Sequence, residues 1–132
     1  MIKGIGHLGI VVKDIEKSLN ALSQIVDFEP PTIKEFPDKK MKCAVVEMNG
    51  AALEFLQDSS DDGFLAKFNR EKGDAIHHFC LLSDDMEKDV AALKETGVQM
   101  MDHEPRTGLR GKKIAFTAPD ALGGISIELS EP

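Results

Sequence analysis

Apolar residues along this chain alternate between strand-like and helix-like spacing, and the same alternation occurs twice. His7-Leu8-Gly9-Ile10-Val11-Val12-Lys13-Asp14-Ile15 aligns without a gap with His78-Phe79-Cys80-Leu81-Leu82-Ser83-Asp84-Asp85-Met86. Each segment reads as an apolar strand ending in an Asp that can accept a first-turn amide and so cap a helix. Behind each Asp, Ile15, Leu19 and Leu22 match Met86, Val90 and Leu93. Steps of three and four residues place each trio on one face of an amphipathic helix. Gly97 then supplies a C-terminal stop for the second helix.

The repeat continues into strands. Lys42 to Met48 predicts a strand, Asn49-Gly50 a two-residue hairpin turn, and Ala51 to Leu56 the returning strand. In the second half Lys112 to Thr117 predicts a strand, and a turn with Pro119-Asp120 and Gly123-Gly124 leads into Ile125 to Ser130. Weaker strands are expected at Glu29 to Phe36 and Val98 to His103. Asp58 to Asp62 reads as a polar linker, and Phe64 to Arg70 as a short helix with Phe64, Leu65 and Phe68 turned inward. The prediction is an α+β fold of two βαβββ modules, one over about residues 1–60 and the other over about 73–132. At 132 residues the pair is expected to form a single domain.

The duplication singles out four residues that carry chemistry: His7 and His78, offset by 71 positions, and Glu54 and Glu128, offset by 74. Side chains alternate across a strand, so Glu54 faces away from Leu53 and Phe55, and Glu128 away from Ile127 and Leu129. A lone strand His is more often a packed core residue, and a lone strand Glu is more often solvated. Two imidazoles and two carboxylates at matched positions in a duplicated frame instead suit a borderline-to-hard divalent ion, with positions left for water or substrate. His77 points to the opposite face from His78 and reads as a support to the metal ligands or as structural, while His103 has no repeat partner.

Composition narrows the partners. Cys43 and Cys80 lie in apolar strands without metal or redox spacing, and read as small buried hydrophobes. A net charge of −7 argues against nucleic acid as a partner. No apolar run is long enough to span a membrane, and Met1 leads straight into a strand without a secretion signal, so a cytoplasmic protein is expected. The loop Arg106 to Lys113 gathers Arg106, Arg110, Lys112 and Lys113 among glycines, and can bind an anionic group.

The chain resembles the vicinal-oxygen-chelate superfamily, which includes glyoxalase I and the extradiol dioxygenases. Within it the chain is most similar to the methylmalonyl-CoA epimerases. The resemblance lies in His7 to Asp14, Ala75-Ile76-His77-His78-Phe79, Gly108-Leu109-Arg110-Gly111-Lys112-Lys113-Ile114-Ala115-Phe116, and Gly123-Gly124-Ile125-Ser126-Ile127-Glu128-Leu129.

It implies an incomplete barrel around a metal site, a homodimer, and a divalent ion (cobalt or similar) held by His7, Glu54, His78 and Glu128. It further implies an acyl-CoA or related carbonyl substrate, with Glu128 and the carboxylate at position 38 as paired bases. Substrate anions would be held by Arg110, Lys112 and Lys113. Three departures stand out. Asp38 is one methylene shorter than the family's Glu, Lys39-Lys40 replaces its Gln-Gly, and Asn20-Ala21-Leu22 occupies positions that are often aromatic. Glu47 is an alternative carboxylate. Two other functions fit the same ligands or fold: a glyoxalase I-type lactoylglutathione lyase and a non-catalytic small-molecule-binding module. An extradiol dioxygenase would leave Glu54 without its role.

Overall fold

The duplicated pattern becomes a duplicated succession of elements in the structure, a computed structural model that describes residues 1–132. The strands are β1 (Ile2–Val11), β2 (Lys34–Phe36), β3 (Met41–Met48), β4 (Ala51–Asp58), β5 (Ala75–Ser83), β6 (Arg106–Thr107), β7 (Lys113–Phe116) and β8 (Ser126–Ser130). The helices are α1 (Ile15–Ser23), α2 (Phe64–Lys72) and α3 (Met86–Glu95). The strands hydrogen-bond in the order β2-β3-β4-β1-β5-β8-β7-β6. The run β2-β3-β4-β1 therefore has its counterpart in β6-β7-β8-β5, and the α+β class and doubled motif expected above are both present.

By contacts the chain divides into two compact units, Leu8–His77 and Met1–His7 with His78–Pro132. In the first, Val12, Ile15, Ala44, Val46 and Phe55 form a buried core, with Leu19 and Leu22 of α1 packed on it. Asp14 accepts the Lys17 amide at 3.2 Å and starts α1 as predicted. Asn49 (φ 27°) and Gly50 (φ 110°) make the two-residue turn that sets Met48 opposite Ala51. Ile15 is 1% exposed, so Ile15→Ala would cost roughly 2–5 kcal/mol.

In the second unit the core is Met86, Val90, Met100, Ala115 and Leu129, with Leu81, Leu93 and Val98 against it. Asp85 accepts the Lys88 amide at 3.2 Å and caps α3. Gly97, at φ 89°, ends it, and its amide donates to Lys94. The two predicted helical trios thus each bury against their own core.

The weaker strand expectations are corrected. From Glu29 to Phe36 only Lys34–Phe36 pairs, because Pro30 and Pro31 have no amide to give a ladder. Val98 to His103 forms no strand beyond an isolated bridge between Met100 and Thr117. Here the amides of Met101 and Asp102 both donate to the Phe116 carbonyl, and the Asp102 carboxylate takes the Phe116 amide. That pinch replaces a ladder. In α2 the buried residue is Ala66, whose amide donates to Asp58 Oδ2 at 3.0 Å, whereas Phe64 is exposed at the first helical position. No helix is long and apolar enough to cross a membrane.

Candidate metal centre

Strand register builds the centre. β5 runs parallel to β8 with His78 opposite Ser126 and Cys80 opposite Glu128, and β7 runs antiparallel to β8 with Phe116 opposite Glu128. Alternation therefore sends Leu81, Leu129 and Ala115 to the α3 core, and His78, Glu128 and Phe116 to the opposite face. His7, on β1, completes a triangle of donor atoms. His7 Nε2 and His78 Nε2 are 3.2 Å apart, His7 Nε2 and Glu128 Oε2 3.1 Å, and His78 Nε2 and Glu128 Oε2 3.0 Å. All three residues are buried.

That triangle fits a divalent ion. Ligand atoms at roughly 2.1 Å from an ion stand about 3.0 Å apart when they subtend a right angle, and about 3.4 Å apart in a tetrahedron. The observed edges match one face of an octahedron more closely. Glu54 is buried on β4, on the face opposite the core residue Phe55. The donor chemistry is that of cobalt, zinc, manganese or a similar ion.

Electrostatics keep the carboxylate charged. Burial raises the Glu128 pKa, but hydrogen bonds from His7 and His78 outweigh it and bring the group down from 4.5 to about 2. On the far side of the His7 ring, Arg110 Nη2 lies 3.5 Å from Nδ1. Arg110 is presented by a tight loop in which the Gly108 amide donates to Lys112 at 2.8 Å and the Gly111 amide to Gly108 at 3.0 Å. A Cβ on Gly108 would lie 2.8 Å from Ile114 Cδ1 and 3.1 Å from its Cγ1 and Cγ2, so a side chain there would force Ile114 to shift.

Residues 6–116 match a known family description, that of the Glyoxalase/Bleomycin resistance protein/Dioxygenase superfamily. The chain belongs to this superfamily. The hypothetical protein BH1468 from Bacillus halodurans C-125 is 30% identical, with a TM-score of 0.89 over 97% of this chain and 93% of that one. The mitochondrial methylmalonyl-CoA epimerase of Bos taurus is 25% identical over 96% of this chain and 73% of its own length. A Streptomyces coelicolor methylmalonyl-CoA epimerase variant in complex with 2-nitronate-propionyl-CoA shares the fold, with a TM-score of 0.89 at 23% identity over 99% of this chain and 95% of that one.

Within this superfamily frame, the other residues singled out from the sequence are placed as follows. Asp38 is exposed in a one-turn 3-10 helix, Pro37–Lys39, and is not among the clustered ligand atoms. Glu47 is exposed. Lys112 is exposed, and the Lys113 amine lies 3.0 Å from Glu87 on α3. Arg106 is held by Asp102 at 2.8 Å. His77 packs edge-on to Phe68 at 4.9 Å, in keeping with a structural role, and His103 is exposed. Cys43 and Cys80 are buried, as expected. One neighbour of the centre had no role in the sequence reading: Phe116, edge-on to His78 at 5.1 Å. Its signal is cross-strand register with Glu128, which exists only once β7 is paired with β8.

Proposed function

We propose that the chain is a divalent-metal-dependent epimerase that removes and returns the α-proton of an acyl-CoA thioester, methylmalonyl-CoA being the substrate to test. The observation that carries this reading is the His7–His78–Glu128 triangle, sized for a divalent ion. Identity to a methylmalonyl-CoA epimerase along nearly the whole chain supports the choice of substrate.

His7, Glu54, His78 and Glu128 would hold the ion, which when bound supplies Lewis-acid stabilisation of negative charge on the thioester oxygen. The protein's own groups then move the proton. Glu128 takes it from one face of the α-carbon and Asp38 returns one on the other face, each needing hydrogen-bond reach of that carbon. Arg110, with Lys112 and Lys113 on the same loop, would meet the substrate's carboxylate or the coenzyme's phosphates. Of these, Lys113 must first leave Glu87. A homodimer in the cytoplasm belongs to the same proposal, with light scattering testing the assembly and cell fractionation the location.

The test is incubation of metal-reconstituted protein with one epimer of methylmalonyl-CoA in deuterated water. Deuterium at the α-carbon together with epimer interconversion is expected. Turnover of a glutathione hemithioacetal without exchange into the thioester would select the lyase chemistry instead. No turnover of either, with no stoichiometric metal uptake, would leave a binding module.

A further inference from the structure

Behind His78 lies an assembly that none of the chemistry above uses. The His78 ring stands at 85° to Phe116, with centroids 5.1 Å apart, and at 81° to His7, with centroids 5.3 Å apart. Phe116 is also the cross-strand partner of Glu128, so a single aromatic ring borders two of the three converging ligands.

Phe116 is itself held from two sides by residues 101–106. Its amide donates to Asp102 Oδ2 at 2.9 Å, and its carbonyl accepts the amides of Met101 at 2.9 Å and Asp102 at 3.1 Å. The other Asp102 oxygen accepts Arg106 Nε at 2.8 Å, which brings the guanidinium carbon to 5.9 Å from the Phe116 ring centre. One carboxylate thus ties backbone, cation and aromatic ring together, and the ring abuts the imidazole.

We infer that Phe116 is a positioning residue for the His78 imidazole and that Asp102, with Arg106, is the clamp that holds Phe116 in place. The physical need is specific. Rotation of an imidazole about its Cβ–Cγ bond falls in broad wells, so packing has to choose the angle. Ligand atoms must stay within about 0.5 Å of the productive geometry to keep their affinity. A wall of fixed orientation against the ring meets that need, and neighbours of metal ligands are typically worth 10–100-fold in affinity. The clamp's polar groups are also separate from the apolar core: the Asp102 side chain is 15% exposed and that of Arg106 50%.

The inference rests on the metal reading proposed above, and the experiment separates the two. Cobalt(II) binding is measured by calorimetry and by visible absorption of the loaded protein, for the wild type and for Phe116→Tyr, Phe116→Met, Asp102→Asn and Arg106→Gln, with thermal melting of each. Phe116→Tyr keeps the ring, so wild-type affinity and spectrum are expected. Phe116→Met keeps the volume and loses the planar wall, so affinity about 10–100-fold weaker is expected, with an altered spectrum and a retained cooperative melt. Asp102→Asn should follow Phe116→Met, and Arg106→Gln should show a smaller loss in the same direction.

Wild-type affinity and spectrum in Phe116→Met would overturn the positioning role while leaving the metal site standing. Absence of cobalt uptake by the wild type itself would end both. Should Asp102→Asn fail to fold, the two Phe116 variants still decide the matter.

Discussion

Nε2 of His7 and Nε2 of His78 stand 3.2 Å apart although 71 residues separate them in the chain. Two neutral imidazoles gain little from facing each other so closely without a proton or an ion between them. Here both rings also face Glu128 Oε2, at 3.1 and 3.0 Å. Duplication accounts for the pairing: each His opens the same strand pattern in its own half, before the capping Asp14 or Asp85.

Removal of either imidazole should therefore act on metal binding before anything else. His7→Ala and His78→Ala are each expected to weaken cobalt or zinc binding at least about a hundredfold, read by competition with a chelator. In the wild type, metal at about 100 times its Kd should add about 2.7 kcal/mol of stability and raise Tm by about 10 °C, reversed by EDTA. An unchanged melting temperature across a saturating titration would count against the centre.

Glu54 tests whether the carboxylate or only an oxygen donor is required. Glu54→Gln keeps an oxygen and should retain the ion with affinity reduced about tenfold, whereas Glu54→Leu should lose it. Equal affinity in Glu54→Leu and wild type would remove Glu54 from the ligand set.

Asp38 separates a two-base mechanism from an ordinary surface turn. Asp38→Asn is expected to slow epimer interconversion by about 10²–10⁴-fold while one epimer still exchanges its α-proton with deuterated water through Glu128. Full interconversion in the variant would return Asp38 to the role of an exposed turn residue.

Acid should act on the metal-free protein through Glu128. Its pKa is lowered from 4.5 to about 2 on folding, so the unfolded state takes up the proton first as pH falls. The group's contribution to stability is complete above about pH 4.5 and is lost progressively towards pH 2. Urea unfolding at pH 5 and pH 3 should then show a larger loss of stability for the wild type than for Glu128→Gln. Parallel losses in the two proteins would contradict the assignment.

The sequence by itself determined what local rules govern. Asp14 and Asp85 cap their helices, Asn49-Gly50 turns its hairpin, and Ile15, Leu19 and Leu22 face inward like Met86, Val90 and Leu93, because capping, turn chemistry and periodicity depend on neighbours in the chain. The duplicated frame made the four metal-ligand candidates legible as well. Tertiary structure alone decided that Val98 to His103 would pinch onto Phe116 rather than form a strand, that Lys113 would reach Glu87, and that Arg110 would reach His7. It also set Phe116 beside His78. Each of these depends on contacts between segments far apart in the chain, and for Phe116 on strand register, where a shift of a single residue would turn the ring to the other face.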